Sequence, residues 1–205
     1  MSKLKPFLKR GIKEAGVDEV GRGTLAGPVV AASVILPEDF DYEIVKDSKQ
    51  LKEHERKQAF EIIKDNAISY GIGWVSPKRI DKINILNATF EAMHEALSKM
   101  QNKVNFKIDH ILVDGNRFNS YQGIPYTCVV KGDSKYYSIA AASILAKVVR
   151  DEYMKHLAKD FPGYGWETNM GYGSKKHRDF IKAEGVNEHH RISFLGNILP
   201  KNNLF

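Results

Sequence analysis

Hydrophobic and polar positions follow one another along the chain in a pattern typical of strands separated by helices. Five short stretches are rich in β-branched, aromatic and other apolar residues, and turn-forming residues stand around them. The second stretch is apolar at nearly every position, which is typical of a strand buried on both faces of a sheet. The predicted strands are residues 12–17, 27–36, 69–75, 110–114 and 126–130.

The segments between these strands carry the spacing and the end signals of helices. Residues 48–66 begin at Ser48 and place two glutamates early, where the helix dipole favours negative charge. Residues 138–157 are rich in alanine, and their apolar stripe is Ile139, Ala142, Ala146, Val149 and Tyr153. The predicted helices are residues 48–66, 84–100, 138–157 and 174–183.

The order of these elements predicts an α/β fold of layers centred on one sheet. No internal repeat, low-complexity tract or flexible linker divides the chain. We expect a core over residues 1–157, followed by a helical or loop extension over residues 158–205. The extension differs from the core in its content of Gly, Tyr, Lys and His.

Composition narrows the class of protein. The 205 residues are 42% hydrophobic and 27% charged, as in ordinary folded proteins. The lone Cys128 excludes an internal disulfide framework and favours a reducing compartment. No apolar run approaches the roughly 18 residues of a membrane span, and the basic N-terminus lacks a secretory signal. We therefore expect a cytoplasmic protein without a membrane partner. The formal net charge of +6 permits a polyanionic partner without requiring one.

Carboxylates stand at the ends of three predicted strands. Asp18 and Glu19 follow the first strand, Asp114 closes the fourth, and Asp133 follows the fifth. Taken alone, each acid could equally begin a turn or cap a helix, and Asp133 is the strongest candidate for a cap because a helix follows it. Taken together, they predict a site for Mg²⁺ or Mn²⁺, since these ions prefer carboxylate oxygens. Two such ions can activate water and stabilise the leaving oxygen of a phosphodiester.

A glycine-rich turn follows the first two acids. Gly21-Arg22-Gly23 permits close backbone approach and leaves N–H groups available to a sugar hydroxyl or a phosphate. A simple hairpin turn would explain the same three residues. The nucleotide-binding pattern G-x-G-x-x-G is not matched, because position 26 is alanine and no helical pattern follows.

The stretch from Gly16 to Leu36, GVDEVGRGTLAGPVVAASVIL, closely resembles the opening of type 2 ribonuclease H, the ribonuclease HII family. The resemblance continues in order over roughly residues 12–194. It includes DSK at 47–49, ILVDG at 111–115, KGDSKYYSIAAASILAKVVRD at 131–151, GYGSKKH at 171–177 and HHRISF at 189–194.

This resemblance implies an RNase H-like fold, in which helices flank a five-stranded mixed sheet whose first three strands are antiparallel. It also implies an endonuclease that hydrolyses the RNA strand of RNA–DNA hybrids. The implied enzyme further incises 5′ of ribonucleotides embedded in duplex DNA, leaving 3′-hydroxyl and 5′-phosphate ends. One or two Mn²⁺ or Mg²⁺ ions are the implied cofactors, and we expect a monomer.

The resemblance assigns roles to individual residues. The family's catalytic, metal-binding acids correspond to Asp18, Glu19, Asp114 and Asp133. The implied substrate contacts are Gly21, Arg22 and Gly23 on the ribose 2′-hydroxyl, Lys49 near the substrate backbone, and Tyr172 on the sugar past the cut. For Lys49, an exposed lysine at the start of a helix is the alternative interpretation.

The chain departs from the usual family pattern at four positions. Val20, Thr24 and Ser174 replace the usual alanine, proline and threonine. Met170 replaces a lysine, which removes one positive charge near the substrate.

Two further sequence features invite a functional interpretation. Residues 175–178 (Lys-Lys-His-Arg) form a basic patch, either for phosphate contact or as a solvated helix face. His189 and His190 are expected to be structural, since adjacent histidines rarely converge on one ion.

Two alternative functions remain open. One is a sister type of ribonuclease H that cuts only longer hybrids. The type 3 relatives carry an extra N-terminal domain, whereas eleven residues precede the first predicted strand here. The other is a nucleic-acid-binding module without activity, whose mark would be the loss of one of the four acids.

Overall fold

The computed structural model describes residues 4–199, and its strands and helices follow one another largely as the sequence pattern predicts. The predicted core and extension thus each reach beyond the described residues, by residues 1–3 and residues 200–205. The strands are β1 (Glu14–Val20), β2 (Val29–Ile35), β3 (Ser69–Val75), β4 (His110–Asp114) and β5 (Tyr126–Val129). The helices are α1 (Glu53–Asn66), α2 (Pro77–Gln101), α3 (Tyr137–Asp160), α4 (Trp166–Asn169) and α5 (Lys175–Glu184), with short 3-10 helices at Ser48–Gln50, Gly132–Ser134 and Ile192–Phe194.

The five strands form one mixed sheet in the order β3-β2-β1-β4-β5. The pairs β1–β2 and β2–β3 are antiparallel, whereas β1–β4 and β4–β5 are parallel. The predicted α/β fold with a five-stranded mixed sheet and three antiparallel first strands is therefore confirmed.

Helices cover both faces of the sheet. The helix α2 packs against β3 and β2 on one face, and α1 and α3 lie on the other. This arrangement explains the almost continuous apolar sequence of β2, all seven of whose residues are buried. Side chains alternate between the faces along a strand, so Val17 enters the cluster on the α2 side while Val30 and Ala32 enter the other.

The strand β1 continues three residues beyond the C-terminal end that the sequence pattern predicts. Asp18 and Glu19 lie within it, opposite Ala32 and Ala31 of β2, so the predicted end at residue 17 is wrong. The parallel pairing with β4 stops at Val17. The last residues of β1 therefore keep one neighbouring strand, and their side chains lie at the open edge of the sheet.

Two predicted helices begin differently in the structure. Leu51 and Lys52 are extended, so the segment 48–66 is a 3-10 turn followed by α1. The helix α2 begins at Pro77 rather than at residue 84, with the Ser76 hydroxyl accepting from the N–H of Arg79 at 3.3 Å. Asn84 interrupts α2 at a φ of 66°, which explains why the helical pattern becomes regular only beyond it.

The C-terminal segment packs on the end of α3 and on the loop that follows β1. Its apolar cluster is centred on the fully buried Trp166, which stacks on Tyr164 with ring centroids 4.9 Å apart. Ala26 of the loop belongs to the same cluster. Within residues 4–199, no helix combines the length and the apolar character needed to span a membrane.

Candidate active site

The topology of the sheet brings the predicted acids to one edge. Asp18 and Asp114 come directly after Val17 and Val113, the last pair of residues that joins β1 to β4. Asp133 lies in the 3-10 helix that follows β5. Since β1, β4 and β5 run parallel, their carboxyl ends meet, and these acids approach one another beside Glu19.

The four carboxyl groups influence one another electrostatically. Burial raises the pKa of Asp18 well above its usual value, and the negative charges of Glu19 and Asp114 raise it further. Burial likewise raises the pKa of Glu19, although Arg22 opposes the change. Burial first, and then Asp47 and Asp114, raise the pKa of Asp133. The site therefore favours an added positive charge.

Each of the four acids already has a partner within the chain, and Asp18 Oδ1 accepts from the backbone N–H of Glu19 at 2.7 Å. Asp114 Oδ1 accepts from the backbone N–H of Gly132 at 2.7 Å, and Glu19 Oε1 accepts from Arg22 Nη1 at 3.2 Å. Lys49 Nζ stands 3.5 Å from Asp133 Oδ2.

The chemistry of this set of ligands fits a hard divalent cation, which prefers carboxylate oxygens. Across residues 4–199, however, no three side chains among His, Cys, Asp and Glu stand close enough together to ligate one ion. Arg22 pairs with Glu19 and Lys49 pairs with Asp133, so an ion that binds here would displace both basic groups from these carboxylate oxygens.

Asp133 is not a helix cap. The residue before the first turn of α3 is Tyr136, and no side chain caps that helix end. Asp133 is only 5% exposed, and its carboxylate is turned toward Lys49. The capping interpretation of Asp133 is therefore wrong.

The Gly21-Arg22-Gly23 turn lies beside this cluster, immediately after β1. Gly21 is buried with a φ of +90°, whereas Arg22 and Gly23 are exposed. The loop that contains Tyr172 lies against the same turn, since the N–H of Leu25 donates to the carbonyl of Gly171 at 2.8 Å. Tyr172 itself is 44% exposed, so its ring is available to a ligand.

Only part of the basic patch at residues 175–178 is exposed to solvent. Lys175, Lys176 and Arg178 are exposed, but His177 is fully buried, so its inclusion in the patch is wrong. Its Nδ1 lies 2.9 Å from the carbonyl of Tyr172 and its Nε2 lies 3.1 Å from His190 Nε2. Burial lowers the pKa of His177, which therefore favours the neutral ring.

Sequence reasoning missed a hydroxyl pair behind Asp18. The buried Ser48 and Ser143 hydroxyls lie 3.0 Å apart, and the hydrogen bond from Ser143 lowers the pKa of Asp18 against the effect of burial. The pair links the turn that carries Lys49 to the acid cluster. No local pattern reveals this contact, since 95 residues separate the two serines.

Sequence reasoning also missed Arg150 and Arg191, both fully buried beneath the glycine-rich turn. For Arg150 a signal was present. It stands four residues after Ala146, on the buried side of an alanine-rich helix where a charge is unusual.

Comparison with known proteins identifies the family of the chain. The model of the family described as Ribonuclease HII matches residues 15–196, which is most of the chain. The chain belongs to the ribonuclease HII family. A ribonuclease HII of Phocaeicola vulgatus is 52% identical over 191 residues, which cover 93% of each chain.

Solved structures of ribonucleases H are similar to the chain. The ribonuclease H2 of Pyrococcus horikoshii has a TM-score of 0.71 and 29% identity, covering 89% of this chain and 93% of its own. Bst-RNase HIII, solved in complex with Mn²⁺, has a TM-score of 0.66 and 22% identity, covering 85% of this chain and 63% of its own. The latter likeness shows a common fold alone.

Proposed function

We propose that the chain is an endonuclease of the ribonuclease H type that acts on RNA–DNA hybrids and on ribonucleotides within DNA. The observation that carries this proposal is the meeting of Asp18, Glu19, Asp114 and Asp133 at one edge of the sheet, beside a glycine-rich turn. The family relationship supports the reaction and its substrates.

The ribonuclease H family depends on divalent metal ions. We propose that Asp18, Glu19, Asp114 and Asp133 hold one or two Mg²⁺ or Mn²⁺ ions. When bound, such ions lower the pKa of water and stabilise negative charge on a phosphodiester oxygen. Burial in the first place, with the negative charge of Asp114 adding to it, raises the pKa values of Asp18, Glu19 and Asp133, and a bound cation would favour the charged carboxylates that both effects disfavour.

The other residues of the site bind and orient the substrate in this proposal. Backbone groups of Gly21-Arg22-Gly23 recognise the 2′-hydroxyl, the feature that distinguishes RNA from DNA. The exposed ring of Tyr172 packs on the sugar beyond the cut, where it favours deoxyribose. Lys49, whose ammonium group is beside Asp133, contacts the substrate backbone.

Water is the nucleophile in the proposed hydrolysis. Its oxygen bonds to phosphorus while the bond from phosphorus to the 3′-oxygen breaks. The cut falls 5′ of the ribonucleotide and leaves 3′-hydroxyl and 5′-phosphate ends. No serine or cysteine of the chain is required for this reaction. A monomeric state and a cytoplasmic location stay predictions of the sequence.

A single assay separates this function from the two alternatives. A DNA duplex with one ribonucleotide and a hybrid with a continuous RNA strand are each incubated with Mg²⁺, Mn²⁺ or EDTA. Metal-dependent nicking of both substrates is the expected result. Cutting of the hybrid alone would indicate a ribonuclease H restricted to longer hybrids. Binding without cutting under every condition would indicate a module without activity.

A further inference from the structure

Two guanidinium groups lie buried under the glycine-rich turn, outside the acid cluster. Arg150 of α3 and Arg191 near the C-terminus are both 0% exposed. A buried charge is costly unless it is well paired. Among the described residues neither arginine forms an ion pair, and their hydrogen bonds go to backbone carbonyls and one hydroxyl. Because burying two unpaired charges is costly, we look for their role in the loops to which they donate hydrogen bonds.

Arg150 joins the turn after β1 to the loop that contains Tyr172. Its Nε donates to the carbonyl of Pro28 at 2.9 Å, and its Nη2 donates to Thr24 Oγ1 at 2.9 Å and to the carbonyl of Ala26 at 3.1 Å. Its Nη1 donates to the carbonyl of Met170 at 2.9 Å, two residues before Tyr172. One planar group thus fixes both segments.

Arg191 holds the glycine-rich turn directly. Its Nη1 donates to the carbonyl of Arg22 at 3.1 Å, and its Nε and Nη2 donate to the carbonyl of Gly27 at 3.0 and 2.8 Å. Thr24 completes the support, since its hydroxyl donates to the carbonyl of Gly21 at 3.1 Å while accepting from Arg150.

Backbone hydrogen bonds reinforce the same connection. The N–H groups of Leu25 and Ala26 donate to the carbonyl of Gly171 at 2.8 and 3.3 Å, and the N–H of Arg191 donates to the carbonyl of Leu25 at 2.8 Å. These backbone hydrogen bonds therefore join the segment that follows the glycine-rich turn to the loop that contains Tyr172.

We propose that Arg150 and Arg191, acting with Thr24, are positioning residues that set the spacing between the Gly21-Arg22-Gly23 turn and Tyr172. This proposal rests on the function proposed above. The spacing matters most where a ribonucleotide is followed by deoxyribose, because both elements must then engage neighbouring sugars. Inside a continuous RNA strand Tyr172 meets no deoxyribose, so cleavage there depends less on the spacing.

Three variants test the proposal. Arg191→Lys keeps the charge but cannot reach the carbonyls of Arg22 and Gly27 with three N–H donors at once. Thr24→Val keeps the shape of the side chain and removes the hydroxyl, so it is informative even if Arg191→Lys fails to fold. Arg79→Lys is the matched control, since Arg79 also makes several hydrogen bonds but makes them to Glu91 on α2.

The measurement is kcat/KM on a duplex with one ribonucleotide and on a continuous hybrid. For Arg191→Lys and Thr24→Val we expect a loss of about 10- to 100-fold on the single ribonucleotide, as for misplaced binding groups, and a clearly smaller loss on the hybrid. The ratio of the two values should not change for Arg79→Lys.

A purely structural role would lower both activities by the same factor, because it would reduce only the folded fraction. An unchanged ratio in Thr24→Val and in folded Arg191→Lys would therefore overturn the proposal. Failure of the wild-type chain to cut either substrate would instead contradict the proposed function, independently of the variants.

Discussion

At the scale of single residues, two glycines of one turn are constrained for different reasons. Gly21 has a φ of +90°, and a Cβ there would meet Arg150 Nε and the Pro28 carbonyl. Gly23 has no atom within 4 Å of such a Cβ and is exposed. Of these two positions, the packing of the chain requires glycine at 21 and not at 23. At position 23 the requirement is expected to come from the substrate.

The pair Gly21→Ala and Gly23→Ala tests this difference. Gly21→Ala should lower the free energy of unfolding by about 1–3 kcal/mol, through backbone strain and overpacking. Gly23→Ala should change it by less than about 0.5 kcal/mol, as surface substitutions usually do. It should nevertheless raise KM for a duplex with one ribonucleotide. Equal stability of the two variants, or an unchanged KM in Gly23→Ala, would contradict this account.

The sequence alone predicted the acids but not the residues that support them. Asp18 and Asp114 stand at strand ends, which a local pattern reveals. Arg191 acts on Gly27 across 164 positions, and no local pattern carries that information. The structure also gives Thr24 a role that the usual proline could not have. Its hydroxyl donates to the carbonyl of Gly21 and accepts from Arg150, and proline has no hydroxyl.

At the scale of elements, close packing of backbone explains the glycines of β3. A Cβ on Gly71 would collide with the Ala96 carbonyl of α2, and one on Gly73 would collide with the Ala92 carbonyl. The alternating burial along β3 places both glycines on the inner face. The lack of side chains at these two positions therefore lets the backbone of α2 lie directly against this edge strand.

Gly73→Ala is expected to destabilise the chain by about 1–3 kcal/mol, because a backbone carbonyl cannot move aside as a side chain can. Denaturant unfolding measures the effect. Gly196→Ala is the control, since its Cβ would have no atom within 4 Å and its φ is not in the left-handed region. Equal denaturant midpoints for the two variants would show that α2 moves to accommodate the added methyl group without loss of stability.

Hydrophobic patterns predicted the strands well and the helix faces less well. Two strands, residues 69–75 and 110–114, have the predicted bounds. In α3 the predicted apolar stripe ends at Tyr153, which is 37% exposed, whereas Arg150 is fully buried. The first half of this helix is buried nearly all round, so its periodicity carries little information about its orientation.

At the scale of the whole molecule, the C-terminal segment completes the candidate site. His177, Arg191 and Gly171 hold the loop of Tyr172 and the glycine-rich turn together. The division at residue 157 stays a prediction about domain organisation. We infer that deletion of the extension would impair substrate recognition, because it would remove Tyr172 and the residues that hold its loop against the glycine-rich turn.

A buried histidine pair makes the stability of this segment dependent on pH. Burial, and then the neighbouring His177, lower the pKa of His190 to about 4. As the pH falls, His190 binds a proton near pH 6.5 in the unfolded chain, and only at a lower pH in the folded chain. The contribution of His190 to the free energy of unfolding is therefore fully present above pH 6.5. It is lost as the pH falls toward 4, by up to about 3 kcal/mol.

Thermal unfolding between pH 7 and 4.5 measures this effect as a difference between variants. The wild-type chain and the control His54→Gln, whose histidine is exposed, should lose stability on acidification. His190→Gln should start from a lower stability and lose less over the same range. Parallel curves for all three proteins would contradict a neutral, buried His190.

The central claim is that the four acids at the sheet edge carry metal-dependent cleavage at a ribonucleotide. The most direct measurement compares the wild-type chain with Asp114→Asn and Asp133→Asn on a DNA duplex containing one ribonucleotide, in Mg²⁺, Mn²⁺ and EDTA, with binding measured in parallel. We expect the wild type to nick 5′ of the ribonucleotide with metal and not with EDTA. Both variants should bind the duplex without cleaving it. Full activity of either variant in excess Mg²⁺, or wild-type cleavage in EDTA, would contradict the assignment of the four acids.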